Sequence, residues 1–431
     1  MEKKEPNESK KSNEYINIKP YSHKYSFFNY QFNNIDDINR VFFSNRCYFF
    51  RKIAKNYPEE GQKFVSVIDH LRNLYNKRTE LFPGEKIQKL KTGTNDQIIL
   101  TRKQVALLFL LSFLDLLYVE EKKNMNLFEV SDLLCKKTDT AFEFGRSFLN
   151  YLIVIGNWIS ENNPILDEKI IYIRRNINSK EYLNKQENIQ LCDLVLDSKE
   201  SLFNGTASYC VDFANKYIGG GVLTGGCVQE EILFCIEPEA IVSLLFMEVM
   251  DDNDAIGIYN TIQYSDYKGY GFKFTYNGCL IKDNSQKKTH RIIAIDAIAV
   301  SHSSSYIKGN SFLNDIKILN RDIHKAYVGF SLANLDKNLS KTIATGNWGC
   351  GVFGGNHELK FIQQWIAASF AGVERLDYYT FGDKQAKPIE AYYKAIKEKY
   401  KTAQNLYDAL ILVSTVNENY INNLFNSILF Y

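Results

Sequence analysis

The chain has 431 residues, 45% hydrophobic and 24% charged, with 28 Tyr, 29 Phe and a formal net charge of +2. This length holds two or three domains or one large catalytic unit, and the composition is that of an ordinary globular protein. The near-balanced charge excludes a polyanion binder working through a broad basic face, so any phosphate must be held locally and largely by backbone groups.

The first residues, MEKKEPNESKKSNE, lack the apolar centre of a secretory signal and read as a disordered tail over about 1–20. From about 21 to 195 the pattern is mostly helical. Phe64, Val67, Ile68, Leu71 and Leu74 recur at helical spacing, Thr101 caps a helix through Gln104–Tyr118, and another covers 142–160. The longest apolar run, Val105–Val119, contains Ser112 and Asp115. It falls short of the roughly 20 residues a membrane span needs, so no membrane partner is expected.

From about 196 strands alternate with helices. Ser208–Phe213 and Ile232–Ile236 read as strands, and Pro238 opens a helix that runs to Met250. Ile256–Ile262 is a strand, and Ile292–Val300 is one covered on both faces. Thr342–Thr345 leads into the second glycine cluster, and a helix at Glu358–Phe370, a strand at Leu376–Phe381 and a helix at Ile389–Tyr400 follow. The alternation predicts an α/β fold with a mixed sheet. The eight cysteines (47, 135, 192, 210, 227, 235, 279 and 350) include no CxxC pair, and the six histidines no HxxxH pattern, which argues against a metal site.

Chemistry concentrates in two glycine clusters. Gly219-Gly220-Gly221 and Gly225-Gly226 are followed by Gln229-Glu230-Glu231. Glycine loops suit phosphates, and carboxylates at the end of such a loop point to acid–base chemistry beside a bound phosphate. Asp212 and Asn215 stand at the preceding strand end, where polar groups reach sugar hydroxyls; for Asn215 the alternative is a turn cap. The second cluster, Gly346–Gly355, contains Gly349-x-Gly351-x-x-Gly354. That is a dinucleotide pattern lying too late in the chain for a Rossmann unit.

Val211-Asp212-Phe213-Ala214-Asn215, the three glycines and Gln229-Glu230-Glu231 resemble the signature of the poly(ADP-ribose) glycohydrolase family. Thr261–Ser265 with Gly269-Tyr270-Gly271, Ala294–Ala297, Lys325–Phe330, Thr345–Gly351 and Thr380–Asp383 are similar to family segments in the same order. So is the stretch Leu100–Ala106, in the accessory region of eukaryote-type members. The resemblance covers about 60–420; Ser201–Thr206 departs from the family's forms.

The resemblance implies an α/β/α macrodomain-like sandwich with a mixed sheet over 196–431, preceded by a mostly helical accessory domain over 21–195. It implies hydrolysis of the ribose–ribose O-glycosidic bonds of poly(ADP-ribose), releasing ADP-ribose. The partners would be the polymer and poly(ADP-ribosyl)ated proteins. The protein would be a nuclear or cytoplasmic monomer that uses no cofactor and no metal. Glu231 would be the general acid and then the base, and Glu230 would bind ribose hydroxyls. Asp212 and Gln229 would belong to the substrate-binding signature, with Asn215 on the scissile ribose. Gly219, Gly220, Gly221 and Gly225 would let the catalytic loop wrap the substrate. Gly349, Gly351 and Phe353 would form the diphosphate loop, Phe353 positioning the terminal ribose. Tyr270 would stack on adenine, with Phe381 closing the other side. The alternative for both phenylalanines is core packing. The alternative for the whole chain is a macrodomain that binds ADP-ribose without cleaving it, which would not need Glu230-Glu231.

Overall fold

A computed structural model describes residues 14–18, 30–117, 124–183, 188–281, 287–300, 316–416 and 420–430. Most of the tail expected over 1–20 lies outside them. Within it, Tyr15–Asn17 form a strand paired antiparallel with Lys86–Gln88.

The first half is a helix cluster that contributes to the sheet. Helix α1 (Pro58–Asn76) buries Phe64, Val67, Ile68, Leu71 and Leu74, as the spacing predicts. Helix α2 (Arg102–Phe113) opens with a capping box, the Gln104 side chain accepting the Thr101 N–H at 2.8 Å. It stops short of the predicted end at Tyr118, which lies outside the described residues; Asp115 takes a left-handed φ of 53° and turns the chain. Helix α3 (Asp139–Ser160) packs closely on α1: a Cβ on Gly156 would lie 2.5 Å from the Val67 Cβ.

The sheet has eight strands: β1 (Asp96–Thr101), β2 (Lys169–Asn176), β3 (Asp193–Asp197), β4 (Tyr209–Ala214), β5 (Asp254–Ile262), β6 (Thr289–Asp296), β7 (Thr342–Gly346) and β8 (Arg375–Tyr379). Their order is β1-β2-β5-β6-β4-β7-β8-β3. The run β6-β4-β7-β8-β3 is parallel, and β1, β2 and β5 pair antiparallel. Strands β1 and β2 come from the stretch read as mostly helical.

Side-chain alternation splits the core. Cys210, Ala214, Ile292 and Ala294 face a core shared with the first-half helices. Tyr209, Val211, Ile293 and Ile295 face the opposite core, with Trp348 and Trp365. Strand β6 is therefore covered on both faces, as its apolar run predicts, but it ends at Asp296, short of the expected Val300.

Ile232–Ile236 is not a strand. It is the end of helix α4 (Gln229–Ile236), all eight residues of which are buried. A five-residue apolar run buried all round carries no periodicity to separate helix from strand. The N-terminus is fixed instead by Glu231, whose carboxylate accepts the Val228 N–H at 2.8 Å. The helix expected from Pro238 to Met250 is also shorter: Pro238–Ile241, then a 3-10 turn at Val242–Leu245. Helix α5 (His357–Phe370) falls where predicted. Among the described residues no helix is long and apolar enough to cross a membrane.

Candidate active site

Because β4 and β7 are parallel neighbours, the loops that follow them leave the same edge of the sheet, where α/β folds place their ligands. The two strands separate early. Only Ile343–Tyr209 and Ala344–Cys210 pair, whereas β6 pairs with β4 as far as Asp296–Ala214 and β7 with β8 as far as Gly346–Tyr379. The backbone of β4 freed by this opening needs partners. Gln229 supplies them: its Oε1 accepts the Phe213 N–H at 2.8 Å and its Nε2 donates to the Val211 carbonyl at 3.0 Å. The Gln229 side chain thus clamps α4 to β4.

The first glycine loop runs from β4 to α4 and closes on the two carboxylates. Glu230 accepts the N–H of Gly219 at 2.7 Å and of Asn215 at 2.9 Å. Glu231 accepts the N–H of Gly221 at 2.8 Å and of Val228 at 2.8 Å. Both acids are buried, 3% and 6% exposed. The glycines answer to this arrangement. Gly220 has a φ of +49°, and a Cβ on it would lie 2.4 Å from a Glu230 oxygen and 2.6 Å from a Glu231 oxygen. A Cβ on Gly226 would lie 2.8 Å from the Glu231 Oε1. The expectation that this loop's amides wrap a phosphate needs revision for Gly219 and Gly221, whose N–H groups serve carboxylates. Gly225 has a φ of +113° and open space around its Cβ position. Asn215 keeps the turn: its Oδ1 accepts the Tyr217 N–H at 3.0 Å.

Asp212 is fully buried, and neither carboxyl oxygen has a hydrogen-bond partner. Burial, and then the charge of Glu231, push its pKa well above the usual carboxylate range. Glu230 is pushed the same way by burial and by its two acidic neighbours, against the pull of the Asn215 and Gly219 amides. Three acids share one low-dielectric space, and Asp212 lies in it fully buried rather than exposed at the strand end.

A cavity of about 580 Å³ adjoins this cluster. Val228, Gln229 and Ile232 of the α4 region line it, opposite the second glycine loop, Gly349–Phe353. Trp348 anchors that loop, donating from Nε1 to the Ile295 carbonyl at 2.8 Å, with the Lys360 ammonium 4.8 Å from its ring centroid. Gly349 has a φ of +74°, and a Cβ there would lie 2.6 Å from the Ala297 Cβ; Gly351 has open space. Phe353 both lines the cavity and packs on the core, so its two readings are not exclusive. Phe381 is 56% exposed and holds a strained φ of +51°. Its ring meets Tyr270 with centroids 5.9 Å apart, so an entering base would have to part them. Of the predicted residues, the cavity gathers Gln229, Tyr270, Gly349, Gly351, Phe353 and Phe381. Asp212, Asn215, Gly219, Gly220, Gly221, Gly225, Glu230 and Glu231 belong to the adjoining loop and carboxylate cluster.

Sequence reasoning missed several walls. Ser201, Leu202 and Phe203 line the cavity, in the segment that departs from the family's forms; their place just before β4 was the available signal. His357 and Asp383 also line it, joined Nε2 to Oδ2 at 3.0 Å across 26 residues of chain. The helical half reaches the first glycine loop as well. Asn126 donates from Nδ2 to the carbonyls of Ile218 and Gly220, at 3.1 and 2.9 Å, and Lys136 donates to that of Leu223 at 3.0 Å.

Residues 181–388 match the family described as poly(ADP-ribose) glycohydrolase (PARG), Macro domain fold, and residues 56–175 its helical domain. Poly(ADP-ribose) glycohydrolase 1 of Arabidopsis thaliana is 32% identical over 270 residues, 47% of this chain and 48% of that one. Poly(ADP-ribose) glycohydrolase 1 of Caenorhabditis elegans is 38% identical over 202 residues, 44% of this chain and 25% of that one. The chain spans about half the length, or less, of these curated relatives. A crystal structure of poly(ADP-ribose) glycohydrolase from Deinococcus radiodurans in complex with ADP-ribose aligns at 13% identity and a TM-score of 0.33, over 52% of this chain and 94% of that one.

Proposed function

We propose that this chain, which belongs to the poly(ADP-ribose) glycohydrolase family, hydrolyses the ribose–ribose O-glycosidic bonds of poly(ADP-ribose) and releases ADP-ribose. The observation that carries the reading is the pair Glu230 and Glu231, each oriented by two backbone amides, on the helix that also walls a nucleotide-sized cavity.

Cleavage passes through an oxocarbenium-like state, and the departing ribose oxygen needs a proton. Protonated Glu231 supplies it. The resulting carboxylate takes a proton from the water that attacks the anomeric carbon, which restores the acid and completes the product hydroxyl. The Gly221 and Val228 amides occupy one lone pair on each Glu231 oxygen and fix the carboxylate plane, leaving a second lone pair on each for the moving proton. Glu230, held by Asn215 and Gly219, accepts from ribose hydroxyls. The adenine enters between Tyr270 and Phe381, the diphosphate lies along Gly349–Gly351, and Phe353 faces the terminal ribose. Partners of this activity are the polymer and the proteins that carry it, in the nucleus or cytoplasm, with the chain acting as a monomer.

Incubating the pure protein with poly(ADP-ribose) and identifying the products tests the reading. ADP-ribose is the expected product; binding of ADP-ribose with no release from polymer would make the chain a reader instead.

A further inference from the structure

A hairpin of Ser265–Lys268 and Thr275–Cys279 stands beside the cavity, and its turn reads Lys268-Gly269-Tyr270-Gly271-Phe272-Lys273. The turn is built tightly. Gly269 and Gly271 have φ of +79° and +60°, and a Cβ on Gly269 would lie 2.0 Å from the Lys273 carbonyl oxygen. Phe274 roots it: 2% exposed, its ring stacks on Tyr267 and meets Phe144 edge-on. With Phe274 inward, Phe272 projects outward and is 89% exposed.

A lone exposed phenylalanine needs no explanation. The surroundings of this one set it apart. Tyr270, two residues earlier, lines the cavity and meets Phe381. Gly271 sits against the catalytic loop, its Cβ position 3.9 Å from the Cys227 carbonyl oxygen. Lys268 and Lys273 flank the phenylalanine, both exposed, and among the described residues no ion pair involves either. An exposed aromatic ring with two exposed lysines in the same turn is the equipment that binds single-stranded nucleotide chains, by stacking on bases and neutralising the backbone.

We propose that this turn is a second nucleotide subsite: Phe272 stacks on the adenine of the ADP-ribose unit adjoining the one in the cavity, and Lys268 and Lys273 face that unit's diphosphate. The assignment rests on the polymer being the substrate. It makes the turn a determinant of polymer over monomer.

The test compares Phe272→Ala, Phe272→Trp and a Lys268→Ala/Lys273→Ala double variant with wild type. Phe272→Ala is expected to lower kcat/KM on polymer of several units about tenfold, the size of one lost base stack, while ADP-ribose affinity stays within about twofold. Phe272→Trp retains activity, and the lysine double variant shows a shallower salt dependence of polymer affinity. A Phe272→Ala effect below about twofold on polymer, or an equal loss of ADP-ribose affinity, overturns the subsite. Polymer affinity is measured in parallel on a Glu231→Gln background with and without Phe272→Ala, so that turnover is not required. Failure of the substrate reading would appear in the wild type itself, as no release of ADP-ribose; failure of the subsite appears only between variants.

Discussion

The two glycine loops emerge from neighbouring parallel strands at one edge of the sheet, yet their glycines serve different ends. In the first, the freed backbone folds around two acids: Gly219 and Gly221 give their N–H groups to carboxylates, and Gly220 and Gly226 stand where any Cβ would strike them. In the second, Trp348 pins the loop to β6, and Gly351 opens onto the cavity with nothing near its Cβ position. Glycine richness alone therefore does not identify a phosphate cradle. The acceptor that meets the N–H groups does, and in the first loop that acceptor is the Glu230–Glu231 carboxylate pair.

The contrast can be broken at Gly220. Alanine there would be strained at positive φ and would displace both carboxylates, so turnover should fall about a hundredfold. Steady-state kinetics on polymer, with ADP-ribose affinity measured alongside, checks this; unchanged turnover would sever the glycines from the acids. A smaller effect is expected from the helical half. Asn126→Ala removes two hydrogen bonds to the first glycine loop, at the Ile218 and Gly220 carbonyls, and should lower kcat roughly tenfold with little change in KM. A change confined to KM would mean that Asn126 acts on substrate binding. At the second loop, Gly351→Ala has room and no left-handed φ. Folding should be unaffected and ADP-ribose affinity reduced only several-fold, which calorimetry would read.

The smallest effect concerns stability. The buried Asp212 carboxyl is held well above its ordinary range, mainly by burial. The folded chain keeps that proton while the unfolded chain releases it as pH rises through about 4. Wild-type stability should therefore fall relative to Asp212→Asn as pH rises from there, by at most about 1.4 kcal/mol per pH unit. Denaturant melts of both proteins between acid and neutral pH measure the gap, and a gap that narrows with rising pH would mean Asp212 is ionised in the fold.

Much of the α/β half was legible because its strands are short apolar runs bounded by turns, and the helix after Gly355 carries Leu359, Ile362 and Ile366 at helical spacing. Ile232–Ile236 was not, since burial on every side erases the period that separates the two states. The strands β1 and β2 were missed because they lie inside a helical region and gain their identity only by pairing, β1 with β2 and β2 with β5. At the site, Glu230 and Glu231 could be found as a motif, but the amides that hold them depend on a loop closing back over some ten residues. The His357–Asp383 pair and the Ser201–Phe203 wall exist only after the chain has folded.

The account stands most directly on Glu231. ADP-ribose release from polymer by Glu231→Gln should fall by roughly a hundredfold to ten-thousandfold, the range of general acid–base catalysis, while ADP-ribose binds about as well as to wild type. Retained turnover in that variant would contradict it, and so would loss of binding together with activity.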